Sequence, residues 1–165
     1  MGKTKPQQLL IDYIISNQEN YYRLAYSYVK NRNDALDIVH DSICKAMTTR
    51  HTPHKPEEIK PWFYRVVVNT ALDFLRKQKS FGLVGEDALE LYNSAEDTYE
   101  DLDLSKALDS LSPNYRSIIV LRYFEDLKIE DIAAILGENV NTIKTRLYSA
   151  LKKLRLHLDN EREEV

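Results

Sequence analysis

The sequence contains 165 residues, enough for one domain or two small ones, and its 43% hydrophobic and 30% charged residues are typical of a globular protein. It has no run of 18 apolar residues and no signal-peptide pattern, so neither a membrane span nor secretion is expected. The single cysteine, Cys44, excludes an internal disulfide and favours a reducing, cytoplasmic location. Because only four glycines and five prolines are present, we expect an all-α fold.

Apolar residues at helical spacing predict seven helices. They span residues 7–30, 34–47, 61–79, 101–110, 113–124, 129–136 and 141–160. Three prolines predict a loop over 48–61, and Asn33 is the expected N-cap of the second helix. Residues 80–98 are acidic and lack clear periodicity, and the acidic stretch as a whole covers 81–104. We therefore interpret them as a linker between two helical domains, residues 7–80 and 105–160.

The formal net charge of −3 hides an uneven distribution along the chain. Residues 1–80 carry 13 Lys and Arg against 8 Asp and Glu, whereas residues 81–110 carry one basic residue against nine acidic ones. Basic residues cluster further within 60–79 and 141–158. Basic stripes on helices are typical of phosphate binding, although an ordinary solvated face gives the same pattern.

The last two predicted helices and the turn between them indicate a helix-turn-helix. Gly137 ends the first helix, the small Ala133 allows the helices to cross closely, and Asn141 is the expected cap of the second helix. The second helix has an apolar stripe, and its opposite face and flanks are polar and basic. Such a face suits the major groove of DNA, although a helical hairpin with an exposed polar face is the alternative interpretation.

Two faces of the N-terminal domain are candidate binding surfaces. Helix 34–47 is expected to bury Leu36, Val39, Ile43 and Met47. Its other side presents an acidic ridge with one exposed isoleucine, formed by Asp34, Asp37, Ile38 and Asp41. A ridge of this kind fits a basic partner, although the helix dipole by itself favours acids in the first turn.

Helix 61–79 has a second face, away from its apolar side, that carries Trp62, Arg65, Val66, Asn69, Asp73, Arg76 and Lys77. A tryptophan grouped with an amide and basic residues can stack on an unpaired base. The alternative is that Trp62 closes one end of the hydrophobic core.

Three segments resemble a known family: DALDIVHDSICKAM, then PWFYRVVVNTALDFLRKQK, then LDSLSPNYRSIIVLRYFEDLKIEDIAAILGENVNTIKTRLYSALKKLR. In this order, over about residues 7–160, they are similar to the two domains of an extracytoplasmic-function sigma factor. These proteins are the small two-domain members of the bacterial sigma-70 family. The resemblance implies an all-α fold and the function of a specificity subunit of RNA polymerase.

The resemblance also implies roles for the candidate residues. The ridge of Asp34, Asp37, Ile38 and Asp41 would bind the clamp coiled coil in the largest subunit of core RNA polymerase. The minus-ten element of promoter DNA would be recognised and opened by the loop 49–60 together with Trp62, Arg65, Asn69, Asp73, Arg76 and Lys77. The minus-thirty-five element would be read by Asn141, Thr142, Lys144, Thr145, Arg146, Tyr148, Ser149 and Lys152.

The same resemblance implies a linker that threads toward the active-site cleft and an anti-sigma factor, commonly anchored in the membrane, that holds the protein inactive until envelope stress. Ser149 stands where many relatives carry a base-contacting arginine, and His40 stands where glutamine is frequent.

The residues alone leave two other classes of function open. An enzyme is disfavoured because the sequence has no glycine-rich phosphate loop, nucleophile motif or strand pattern. Cys44, His51 and His54 make a poor tetrahedral set, since a buried helix face and a proline-rich loop supply them, so no metal or cofactor is expected. A stand-alone repressor would share the helix-turn-helix but would need neither the acidic ridge nor the Trp62 and Asn69 face.

Overall fold

The computed structural model describes residues 5–50, 52, 53, 55–80 and 102–163, and within these residues it contains helices and no β-strand. The elements are α1 (Lys5–Ser16), α2 (Gln18–Val29), α3 (Arg32–Thr48), α4 (Pro56–Ser80), α5 (Leu102–Asp109), α6 (Pro113–Ile119), a π-helical turn (Val120–Phe124), α7 (Ile129–Leu136) and α8 (Val140–Glu163). The expected all-α fold is confirmed. The linker expected over 81–104 lies outside the described residues up to 101, and α5 already begins at Leu102.

The single helix expected over 7–30 is wrong, because Asn17 divides it into α1 and α2. Asn17 has a φ of −124° and a ψ of 22°, and its side-chain amide donates to the carbonyl of Tyr13 at 2.8 Å. A side-chain bond to the local backbone competes with continuation of a helix. Since apolar spacing continues on both sides of the break, periodicity alone does not reveal it.

Helix α3 is capped by Asn31 and not by Asn33 as expected. The side-chain oxygen of Asn31 accepts a hydrogen bond from the backbone N–H of Asp34 at 2.9 Å. This bond satisfies one of the backbone donors that lack a partner at a helix N-terminus. Just before Asn31, Lys30 takes a positive φ of 52° and ends α2.

Helix α4 begins at Pro56, five residues before the expected start, so the loop expected over 48–61 is shorter than predicted. Pro56 suits the first position of a helix, where a backbone N–H needs no helical partner. Pro61 lies inside the helix and removes one helical hydrogen bond. The fully buried side chains of Ile59 and Phe63 hold the helix on either side of Pro61.

The C-terminal elements follow the sequence prediction more closely. Helix α7 spans the predicted residues, and Gly137 ends it with a left-handed φ of 68°. The helix expected over 113–124 is α6 followed by the π-helical turn. The expected cap of α8 is wrong, because Asn139, not Asn141, accepts the backbone N–H of Thr142 at 2.8 Å. Asn141 instead lies within the first turn of the helix.

Helix α2 packs against α3, α4 and α6, so it joins the N-terminal half of the fold (α1–α4) to the C-terminal half (α5–α8). Its Tyr21 is fully buried and meets the rings of Phe63 and Tyr64 edge-on, at centroid distances of 4.5 and 5.4 Å. Such edge-to-face pairs are favourable beyond the area they bury.

Polar contacts also cross between the halves. The buried guanidinium of Arg116 on α6 donates to the carbonyl of Ser27 on α2. The ammonium of Lys30 lies 3.5 Å from a carboxylate oxygen of Asp109. Glu125, at the end of the π-helical turn, accepts a hydrogen bond from the hydroxyl of Tyr64 at 2.6 Å. The two halves therefore form one packed body, with buried hydrogen bonds between them.

The two asparagines near the start of α8 provide a test of the cap assignment. We expect Asn139→Ala to lower the free energy of unfolding by about 1 kcal/mol, because the N-terminal donors of α8 lose an acceptor. Asn141→Ala should change it by less than about 0.5 kcal/mol, because alanine suits a helical position. Urea denaturation measures both, and a larger loss for Asn141→Ala would contradict the assignment.

Candidate functional site

The helix-turn-helix is built by α7, α8 and the turn between them. Gly137 has the left-handed conformation that ends α7, and the following backbone N–H, from Glu138, donates to the carbonyl of Ala133 at 3.0 Å. Ile132 and Ile143 are fully buried where the two helices meet, and Ala133 is nearly so. Fixed in this way by packing and by the Asn139 cap, α8 presents its polar face outward.

The polar face of α8 contains the residues predicted to read DNA. Five of them are exposed: Asn141, Lys144, Thr145, Tyr148 and Lys152. Three are half-buried: Thr142, Arg146 and Ser149. The ring of Tyr148 is 74% exposed although the side chain is large and partly apolar. This surface offers hydroxyl, amide, ammonium and aromatic groups, the chemistry that reads base edges and phosphates.

Two internal contacts restrict this surface. Arg146 pairs with Glu138 at 3.4 Å, so part of its charge is neutralised. The hydroxyl of Thr145 donates to the carbonyl of Asn141 at 2.9 Å. Nearby, the ammonium of Lys153 lies 4.5 Å from the centre of the Tyr115 ring, a packing contact that sequence reasoning missed.

The second face of α4 lies opposite the side that contacts the C-terminal half. Arg65, Asn69, Arg76 and Lys77 are exposed on it, and Trp62 and Asp73 are half-buried. Trp62 packs against the core, 6.4 Å from the ring of Phe63, so its indole is both a core residue and a partly accessible ring. Asp73 forms ion pairs with Arg76 and, at 3.8 Å, with Lys45.

The structure corrects the acidic ridge on α3. Ile38, expected to be exposed, is 1% exposed, whereas Leu36, expected to be buried, is 49% exposed. The face that packs into the fold consists of Ala35, Ile38, Val39, Ser42 and Ala46, and Ile43 and Met47 are only half-buried. Sequence reasoning ranked the large apolar side chains as core, but α3 makes its buried contact mostly through small residues.

The acidic groups of the ridge remain accessible. Asp37 and Asp41 are exposed, and Asp34 is half-buried. Partial burial and the nearby Asp37 raise the pKa of Asp34 above its ordinary value, against a hydrogen bond from Gln78 that lowers it. The exposed Leu36 lies beside the ridge, at a groove between α2 and α3. That groove is lined by Gln18, Glu19, Tyr22, Leu36, Val39, His40 and Ile43.

No cluster of three potential metal ligands occurs in the described ranges of the chain. Cys44 is exposed, not on a buried face as expected, and its sulfur lies 3.8 Å from Nε2 of His40. His51 and His54 lie outside the described residues. Among the helices that the structure describes, none is long and apolar enough to cross a membrane.

Comparison with known proteins identifies the family. The sequence profile described as Sigma-70 region 2 matches residues 14–81, and that of Sigma-70, region 4 matches residues 101–154. The chain is 52% identical to the RNA polymerase sigma factor SigV of Bacillus subtilis over 96% of both chains. The chain belongs to the sigma-70 family of RNA polymerase sigma factors, in the extracytoplasmic-function group.

Other relatives agree with this assignment. The chain is 27% identical to the ECF RNA polymerase sigma factor SigW of Bacillus subtilis, over 94% of this chain and 92% of SigW. The fold is also similar to the sigma factor RpoE of Bartonella quintana, solved in complex with the anti-sigma factor NepR. That match has a TM-score of 0.67 and 24% identity, and it covers 93% of this chain and 96% of RpoE. The resemblance stated from the motifs is confirmed: this protein is a sigma factor, a transcription initiation factor that directs RNA polymerase to promoters.

The corrected ridge predicts opposite outcomes for two neighbouring substitutions in this sigma factor. Leu36→Gln should change the free energy of unfolding by less than about 0.5 kcal/mol, because the side chain is already half in water. Ile38→Gln should lower it by about 2–4 kcal/mol, because a polar amide replaces a fully packed side chain. Denaturant unfolding of both variants measures these changes. Equal losses in the free energy of unfolding would indicate that Ile38 is exposed, as first expected.

Proposed function

We propose that this sigma factor uses three separate surfaces of the fold. Residues 7–80 bind core RNA polymerase and the minus-ten element, and residues 105–160 bind the minus-thirty-five element. Residues 81–104 link them. The observation that carries this assignment is that the polar faces of α4 and α8 are both accessible, with Arg65, Asn69, Lys144 and Thr145 exposed.

The polymerase-docking surface is the acidic ridge, with one residue exchanged. Asp34, Asp37 and Asp41 supply negative charge toward a basic segment of the polymerase clamp. Leu36 takes the place of Ile38 as the apolar contact, because only Leu36 is accessible to a partner. A charged rim beside an apolar anchor is the arrangement in which the charges direct encounter and the apolar contact slows dissociation.

Charge reversal tests this docking surface. Asp37→Lys combined with Asp41→Lys should abolish binding to core polymerase, and Leu36→Gln should weaken it about tenfold or more, as loss of an interface anchor does. Asp12→Lys combined with Asp159→Lys is the matched control, since both residues are exposed and lie on other helices, α1 and α8. Binding is measured by fluorescence anisotropy of labelled sigma factor. Normal assembly of the ridge variants would disprove the docking assignment.

The two DNA surfaces differ in chemistry. On α4, the partly accessible Trp62 ring and the exposed amide of Asn69 suit an unpaired base, while Arg65, Arg76 and Lys77 suit phosphate. Asp73 acts on this face indirectly, because its ion pairs with Arg76 and Lys45 fix those cations. On α8, the residues nearest the N-terminus suit base edges, whereas Lys152 suits phosphate.

Salt dependence tests the α8 surface. Binding to duplex DNA should weaken by ~0.9 log units per log unit of salt for each phosphate contact. Lys144→Ala and Lys152→Ala should each lower that slope by up to about 0.9. Lys106→Ala, an exposed lysine on α5, is the control and should leave the slope unchanged. A flat response of the wild-type protein to salt would contradict the DNA assignment.

An anti-sigma factor is the proposed regulatory partner. Support comes from the similar fold of RpoE, which was solved in complex with the anti-sigma factor NepR. Because it binds RNA polymerase, the active protein acts in the cytoplasm. A membrane-anchored anti-sigma factor would hold the inactive protein at the membrane.

Reconstitution with bacterial core RNA polymerase tests the function as a whole. Transcripts made from genomic DNA should start at defined positions that share two upstream sequence elements. Binding to DNA without binding to core polymerase would instead indicate a repressor.

A further inference from the structure

A buried carboxylate connects the two halves of the fold. The side chain of Glu125 is 1% exposed, although it belongs to the connection between the π-helical turn and α7. Its two oxygens are bound by donors from the other half. The hydroxyl of Tyr64 on α4 donates to one at 2.6 Å, and the guanidinium of Arg23 on α2 donates to the other at 3.2 Å. Arg23 also lies over the ring of Phe124, 5.3 Å from its centre.

This arrangement makes Glu125 dependent on both donors. A buried carboxylate is stable only when hydrogen bonds and an opposite charge compensate for its lost hydration. Burial raises the pKa of Glu125, while the bond from Tyr64 and the charges of Arg23 and Lys60 lower it. Because the bound donors both come from the N-terminal half, the contact exists only while the two halves are packed together.

The packed arrangement is too small to reach both promoter elements. A compact chain of this length has a radius of gyration of about 15 Å, which corresponds to a diameter of about 40 Å. The minus-ten and minus-thirty-five elements, as their names state, lie about 25 base pairs apart, or about 85 Å along B-DNA. The α4 and α8 faces therefore cannot occupy both elements while Tyr64 and Arg23 hold Glu125.

Neither DNA face is itself covered in the packed arrangement. Arg65 and Asn69 on α4 are exposed, as are Thr145 and Tyr148 on α8, while Tyr64 projects from the buried side of α4. The contact between the halves thus does not block either face alone. It limits only their simultaneous use.

We propose that Glu125, held by Tyr64 and Arg23, is a latch that keeps the free sigma factor closed and must release before the α4 and α8 faces bind the two promoter elements together. The requirement that the latch opens rests on the proposed function, in which the protein binds both promoter elements. Its existence in the free protein rests only on the packing of the two halves.

Small-angle X-ray scattering of the full-length protein tests the closed state. We expect a compact wild-type protein, and we expect Arg23→Gln and Tyr64→Phe to increase the radius of gyration, because each leaves the buried carboxylate short of a donor. Adding Glu125→Gln to Arg23→Gln should restore compactness, because the charge that lost its partner is then absent. Lys128→Gln, an exposed lysine on the same connection, is the matched control.

Energy transfer between dyes on the native Cys44 and on an Asn160→Cys variant measures the open fraction, which should rise about tenfold or more when a donor to the buried charge is lost. Circular dichroism verifies that each variant keeps its helices. If Arg23→Gln unfolds, the isosteric Tyr64→Phe carries the test. An extended wild-type protein, or latch variants that keep the wild-type dimensions, would overturn the proposal.

Binding assays separate the latch from the proposed function. Affinity for DNA that carries both promoter elements at their natural separation should rise in Tyr64→Phe in proportion to its open fraction. Affinity for a short duplex carrying only the minus-thirty-five element should not change, since the α8 face is exposed in both states. Variants that open without a gain in affinity for DNA carrying both elements would overturn the latch. A wild-type protein that binds neither core polymerase nor the duplex would refute the proposed function, while scattering would still decide whether the latch exists.

Discussion

Burial of α2 between the two halves of the fold is the constraint on which the other features depend. Six residues of this short helix are buried, Tyr21 and the run from Leu24 to Tyr28, so its C-terminal half has almost no solvent face. The Tyr21 ring organises the aromatic core with Phe63 and Tyr64, and the backbone at Ser27 accepts the buried guanidinium of Arg116. A buried helical segment of this kind fixes its neighbours, because dense packing leaves few alternative positions for them.

The exposed faces of α3, α4 and α8 follow from this packing. Helix α3 contacts the core through small side chains, so it lies close to its neighbours and leaves Leu36, Asp37 and Asp41 outside. Helix α4 uses one side for Tyr64 and its neighbours and keeps Asn69 on the other. The side chains that a partner of this sigma factor can contact are therefore those that the packing of the helices leaves exposed.

The charged residues are also unevenly distributed, both along the chain and over the surface. The net charge of −3 would argue against binding a polyanion, but it averages an acidic stretch and two basic helical faces. Local ion pairs divide the charge further. Asp73 neutralises part of the basic face of α4, and Glu138 does the same for Arg146 on α8. Promoter DNA would therefore contact the basic side chains of α4 and α8 that these ion pairs do not neutralise. For that contact the local arrangement of charges matters more than the net charge of the chain.

Local sequence was enough to predict the helical class, the position of α7, the Gly137 stop and the polar face of α8, because each is encoded within a few residues by periodicity or backbone preference. The family followed from the order of its motifs. Features governed by competing local bonds were predicted less well: the break at Asn17 and the caps at Asn31 and Asn139 each depend on which side chain reaches which backbone group. It is the packing of the helices that buries Ile38, leaves Leu36 exposed and brings Glu125 into contact with Tyr64 and Arg23. These outcomes depend on contacts between segments 61 and 102 residues apart in the chain, or on which side of a helix its neighbours cover, and neither is encoded in local spacing.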